Sequence, residues 1–190
     1  MKEISILEIE NIKIGNAENQ EAKTGVTAIL CETCAPCGVD IRGGGPASRE
    51  TPLLSPLAAS TGVHAVLLCG GSAFGLDAAG GAMRYLEEKG IGFDTGITKV
   101  PLGCASSIFD LGLGDKHVRP DFSMGYRACV NAEAGNYQNG SFGAGCGATV
   151  GKFLGPEFAL KSGIGSFAVQ LGALKVGAIV CVNALGDIYQ

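Results

Sequence analysis

Residues 139–152 read N-G-S-F-G-A-G-C-G-A-T-V-G-K, and five of these fourteen positions are glycine. Glycine averages roughly 7% of protein sequence, so this density is a local specification. It allows the backbone to take positive φ, or to lie against another segment or a ligand where a Cβ would collide. The run closes on one cation, Lys152, placed after a short apolar turn. That lysine is either an exposed strand end or a positioned catalytic group, and the choice between the two decides the function.

The rest of the 190-residue chain is one domain's worth of sequence, long enough to bury a proper core. It is 46% hydrophobic and 17% charged, and its 31 glycines follow no period, which excludes collagen-like and low-complexity readings. A formal charge of −4 with no Lys/Arg cluster argues against nucleic acid or an acidic membrane as partner. Residues 1–8 alternate with charges and lack the apolar centre of a signal peptide. Residues 163–183 come nearest to a membrane span, but Gln170 and Lys175 interrupt them. A cytoplasmic protein is expected. The eight cysteines are expected to be reduced thiols, several of them small buried hydrophobes, as in Leu67-Leu68-Cys69 and Ile179-Val180-Cys181.

Residues 4–14 and 26–31 are β-branched, partly alternating, and predict strands. Cys31, Cys34 and Cys37 carry two consecutive C-x-x-C spacings, which suggest a metal or iron–sulfur loop. A closed site needs a fourth ligand, and neither His64 nor His117 stands at a recognisable spacing. Arg42-Gly-Gly-Gly-Pro46 begins a loop suited to close approach, so Arg42 is a candidate substrate contact. Residues 63–69 predict a buried strand, in which His64 reads as a hydrogen-bonded core residue. Ser72 then reads as the N-cap of a helix to about Lys89, with Leu76, Ala79, Met83 and Leu86 on one face. Residues 97–102 and 106–111 predict short strands around a turn at Gly103-Cys104, and residues 124–134 a helix. Residues 163–171 and 174–184 predict adjacent strands joined at Gly172, with Asn183 as a polar interruption at the end of the second. Such an amide either satisfies neighbouring backbone or presents an N–H to a developing oxyanion.

Three familiar motifs fail. Gly70-Gly-Ser72-Ala-Phe74 is not a nucleophile elbow, because Phe74 stands where the second glycine belongs. Gly143-x-Gly145-x-x-Ala148 follows a turn rather than a buried strand and lacks the acidic residue of a dinucleotide site. A phosphate loop ending at Lys152 would need glycine at Cys146 and a hydroxyl residue at Phe153.

Several strings together resemble one family, the L-aminopeptidase/D-esterase or β-aminopeptidase family, which also holds the nylon-oligomer amidases. They are V-D-I-R-G-G-G-P at 39–46, R-E-T at 49–51, H-A-V-L-L-C-G-G-S-A-F-G-L-D-A-A at 64–79, and Val100-Pro101 with I-F-D-L at 108–111. Residues 143–152 and V-N-A-L-G-D at 182–187 complete the set, spread in order over nearly the whole chain.

The resemblance implies an α+β fold, an αββα four-layer sandwich, and a precursor that cuts itself into two chains. Residues 1–190 would be a single domain, the larger N-terminal part of an αβ pair. The partner chain would begin with the Ser or Thr nucleophile, whose own α-amino group can serve as base. The activity implied is hydrolysis of an amide at the amino end of a peptide or amino-acid oligomer, by oligomers of αβ units and without cofactor or metal. Asn183 matches an oxyanion donor and Lys152 a lysine beside the nucleophile. Phe109 falls where some relatives carry a tyrosine; it joins Ser72 and Arg42 as a candidate substrate contact. The alternatives are a metal or redox protein built on Cys31, Cys34 and Cys37, and a non-catalytic paralogue, for which Phe109 is the argument.

Overall fold

The computed structural model describes residues 1–188. Its strands are β1 (Lys2–Ile4), β2 (Lys13–Asn19), β3 (Thr24–Ala35), β4 (Ser48–Arg49), β5 (Val63–Cys69), β6 (Phe93–Asp94), β7 (Lys99–Val100) and β8 (Gly103–Ser107). After these come β9 (Thr149–Val150), β10 (Leu160–Lys161), β11 (Ile164–Leu171) and β12 (Leu174–Cys181). Two α-helices, α1 (Ala78–Glu88) and α2 (Phe122–Glu133), complete the inventory with five short 3₁₀ turns.

The larger sheet runs β2-β3-β5-β8-β4, with β5 and β8 parallel and its other pairings antiparallel. The smaller runs β1-β11-β12. Strand alternation assigns the faces. In β3, Val26, Ala28 and Leu30 enter one core with residues of α1 and α2, while Ile29, facing the other way, meets Ile4, Ile14 and Ala168 between the two sheets. Helices, large sheet and small sheet thus form three layers of the α+β sandwich. Full burial of a side chain such as Leu30, Leu67 or Leu86 stabilises by about 1.5–3 kcal/mol each.

The helix layer sits close because small residues face it. Ala78, Ala79, Ala82, Ala128 and Ala132 fill the helix side of that core. At Gly15, a Cβ would lie 2.1 Å from the backbone nitrogen of Ala132, so only glycine lets α2 lie directly on β2.

The small sheet is covered on one side only. Phe167, Leu171, Leu174, Val176 and Val180 share its outer face and are exposed. Among the described residues β12 pairs with β11 alone, leaving a free edge. On the large sheet, Val66 and Leu68, which point away from the helices, are half-buried.

Several local expectations need correction. Residues 4–14 are not one strand: Ser5 caps a 3₁₀ turn at Ile6–Glu8, accepting from Leu7 N while Glu8 accepts from Ser5 N, and this capping box breaks the extended run. Ser72 does not cap a helix through a side-chain bond. It lies within a 3₁₀ turn, Ser72–Asp77, at φ 54°, and α1 starts only at Ala78. The Gly70-Gly71 turn leaving β5 sets this geometry, with Gly71 also left-handed. The turn expected at Gly103-Cys104 is a strand, since parallel pairing with β5 buries Cys104 and Ala105. The strand expected at residues 163–171 begins one residue later, and the one expected at 174–184 stops at Cys181. Asn183 therefore follows the strand rather than interrupting it.

Candidate functional site

The glycine-rich stretch folds as a buried 3₁₀ turn, Gly143–Gly147, docked on β2 and β3. Gly143 N donates to the Glu18 carboxylate at 2.7 Å and Ala144 N to Thr27 Oγ1 at 3.1 Å. The chain leaves this turn through β9, and Gly151 N and Lys152 N then donate to the carbonyls of Gly186 and Leu185, both at 2.8 Å. That short ladder sets Lys152 beside Asn183.

The Lys152 ammonium donates to Thr149 O at 2.6 Å, Thr149 Oγ1 at 3.0 Å and Asn183 Oδ1 at 3.1 Å, with Asn183 O at 3.4 Å. None of these partners is a carboxylate, so the cation is held by dipoles alone. Partial burial lowers its pKa from the ordinary lysine value. Lys152 is therefore not a solvated strand end, and among the described residues it has no carboxylate partner.

Asn183 is fixed on both sides. Its Oδ1 accepts from Thr149 N at 2.9 Å as well as from Lys152, and its Nδ2 donates to Phe109 O at 2.8 Å. These partners assign the amide orientation: donors surround the oxygen and a carbonyl faces the nitrogen. A primary amide has two N–H groups, so one remains for another acceptor.

A cavity of about 430 Å³ lies beside this network, lined by Phe109, Asp110, Gly112, Leu113, Thr149, Lys152, Pro156, Ala159 and Lys161; Asn183 touches three of these residues but does not itself line it. The structure brings Asn183, Lys152 and the backbone of Phe109 together. The Phe109 ring is exposed and lines the cavity without a hydroxyl to offer. Ser72 reaches the neighbouring peptide through Ser72 N to Ile108 O at 2.9 Å, but its side chain does not line the cavity. Arg42 pairs with Asp40 at 2.6 Å in an exposed loop and does not line it either.

Three residues of the site carry no sequence-derived role. Thr149 supplies an N–H, a carbonyl and a hydroxyl to the network; its position three residues before Lys152 was the available clue. Lys161 donates to the carbonyls of Gly145, Ala148 and Ser162, and burial lowers its pKa. Asp110 stands within the I-F-D-L string, where nothing local announces its burial.

The cysteines do not build a competing centre. Cys31 is buried, Cys34 half-buried and Cys37 exposed, and all are free thiols. Among the described residues, no three His, Cys, Asp or Glu side chains are grouped to hold a metal ion. His64 is a core residue, 4% exposed, its Nδ1 accepting from Leu102 N at 3.1 Å. No helix among the described residues is long and apolar enough to cross a membrane.

The family model described as peptidase family S58 matches residues 5–188. The chain belongs to peptidase family S58. An uncharacterised aminopeptidase of Mycobacterium leprae is 39% identical over 202 residues, covering 97% of this chain and 53% of that protein. A 6-aminohexanoate-oligomer endohydrolase of Kocuria sp. is 30% identical over 180 residues, covering 93% of this chain and 47% of that protein. The solved L-aminopeptidase D-Ala-esterase/amidase of Ochrobactrum anthropi, described as a variant of the Ntn hydrolase fold, superposes with a TM-score of 0.69 at 21% identity, over 94% of this chain and 52% of that one. The S58 chain thus spans about half the length of the relatives it matches.

Proposed function

We propose that this chain is the N-terminal portion of a self-cleaving amide hydrolase, an aminopeptidase or amino-acid-oligomer hydrolase. Its nucleophile would be the Ser or Thr that begins a partner chain cut from the same precursor. The observation that carries the reading is the Asn183 amide: its oxygen and one N–H are engaged by Thr149, Lys152 and Phe109, three residues that line the cavity, while its other N–H has no partner among the described residues.

In this mechanism the nucleophile hydroxyl attacks the carbonyl carbon of the scissile amide and passes its proton to the α-amino group of the same residue. The carbonyl oxygen becomes an oxyanion and accepts the free Asn183 N–H, a bond that strengthens as charge develops. Lys152, half-buried and held on Thr149 and Asn183, assists proton transfer during the reaction or the self-cleavage. Collapse breaks the C–N bond, the leaving amine takes the proton, and water then hydrolyses the ester by the same route.

The uncovered surfaces support a partner. The free edge of β12, the apolar outer face of the small sheet, and the half-buried Val66 and Leu68 on β5 offer places for further strands and a fourth layer. By analogy with the family, αβ units would associate into oligomers acting on peptides or amino-acid oligomers, in the cytoplasm.

Intact mass of the purified gene product under denaturing conditions tests the reading. Two polypeptides, the smaller starting with Ser or Thr, are expected. One uncut chain that hydrolyses no amide would overturn it.

A further inference from the structure

Asp110 is the only acidic residue among the described residues that is buried, at 4% exposure. A carboxylate removed from water is costly unless donors replace the solvent. Here Gly71 N donates to Oδ1 at 2.6 Å and Thr24 Oγ1 donates to Oδ2 at 2.8 Å, and no Lys or Arg is among its partners. Burial raises its pKa, and these two bonds oppose the rise. The mechanism above gives this group no role, although it lines the cavity.

Its connections are unusual. One carboxylate joins the turn leaving β5, through Gly71, to the first residue of β3, Thr24. The glycine turn presses on it as well: a Cβ at Gly147 would lie 2.6 Å from Asp110 Oδ2. Two residues after Gly147 comes Thr149, which feeds both Lys152 and Asn183. The peptide that enters Asp110 carries the Phe109 carbonyl, and that oxygen accepts from Asn183 Nδ2.

We infer that Asp110 is a positioning residue for the Asn183 amide, acting through the Phe109 carbonyl. Once one N–H of a planar amide is fixed on a carbonyl, the direction of its second N–H is fixed too. Releasing Asp110 lets the 109–110 peptide turn, and the free N–H swings away from the place where an oxyanion forms. This inference rests on the reading of Asn183 as the oxyanion donor.

The test uses the complete, processed gene product and a panel of amino-acid p-nitroanilides. Asp110→Asn keeps an oxygen for Gly71 N, and the Thr24 hydroxyl can rotate to accept from the new amide, so near-native turnover is expected. Asp110→Ala removes both bonds, and a misplacement of about 1 Å would lower kcat about 10²-fold with little change in KM. In an Asn183→Ala background the same substitution should cost less than about threefold, because residues acting through one another are not additive. Should Asp110→Ala not fold, Thr24→Val deletes a single hydroxyl and carries the same comparison. Equal losses in the two backgrounds would overturn the inference. The NMR signals of the Asn183 side-chain amide provide a readout without turnover: they should move in Asp110→Ala or Thr24→Val and stay in Asp110→Asn. Unmoved signals would also overturn it. A processed wild type that hydrolyses no member of the panel would instead overturn the amidase reading, while the amide signals still decide the role of Asp110.

Discussion

Replacing Asn183 in two ways separates its chemistry from its contribution to the fold. Asn183→Ala removes the acceptor for Thr149 N and Lys152 Nζ and the donor to Phe109 O. At about 1 kcal/mol net for each bond, and less for a half-buried side chain, the loss of stability should be about 2 kcal/mol. Asn183→Asp keeps the oxygen facing Thr149 N and Lys152 and turns the lysine contact into an ion pair. It fails only at Phe109 O, where an oxygen would replace the amide nitrogen now 2.8 Å away. Its loss of stability should be about half that of the alanine variant, from one broken bond rather than three. Neither side chain offers an N–H to an oxyanion, so both should lower kcat by about 10²–10³, equivalent to about 2.7–4 kcal/mol of transition-state stabilisation. The assay is kcat and KM on the processed enzyme, beside urea unfolding of the same preparations. Equal catalytic losses with unequal stabilities are the expected pattern. An aspartate variant that keeps kcat within about threefold of wild type would rule out Asn183 as the oxyanion donor, since its carboxylate offers no N–H.

Lys152→Met should lower kcat about 10²-fold or more and slow self-cleavage, read by initial rates and by the mass of the products. Because burial lowers the Lys152 pKa, any limb of the wild-type pH–rate profile due to this ammonium should fall below the ordinary 10.5 and vanish in the variant. His64 has its pKa lowered from 6.5 by burial, so below 6.5 the unfolded chain takes up the proton before the folded one does. Stability from this group is complete above 6.5 and is lost as pH falls through the folded value; melting curves from neutral to acid pH should decline, and decline less in His64→Asn, which keeps an acceptor for Leu102 N. Gly15→Ala places a methyl 2.1 Å from the Ala132 nitrogen and must push α2 off the sheet, so it should destabilise by about 1–3 kcal/mol or more in urea unfolding. Unchanged stability there would show that the helix layer is looser than its contacts require.

Elements whose causes are local were legible in the chain. The β-branched, partly alternating residues 26–31 were enough to mark a strand, and Gly172 was enough to place the turn between β11 and β12. The glycine density before Lys152 announced close backbone packing, and residues 143–147 are all buried. Asn183 and Lys152 stood out because a lone polar group beside apolar strand sequence must be satisfied by something. What satisfies them was decided only in three dimensions. The bond from Asn183 to Phe109 O spans 74 residues, and that from Thr24 to Asp110 spans 86. No periodicity encodes such pairs, because each partner is set by which strands become neighbours. The parallel pairing of β5 with β8 is the clearest instance: it turned a glycine–cysteine step that reads as a turn into a strand. By running 103–107 alongside β5, it also set the following segment, with Phe109 and Asp110, beside the turn that leaves β5. Local propensity ends at the peptide, whereas the site is built from four peptides that meet only because the sheets stack.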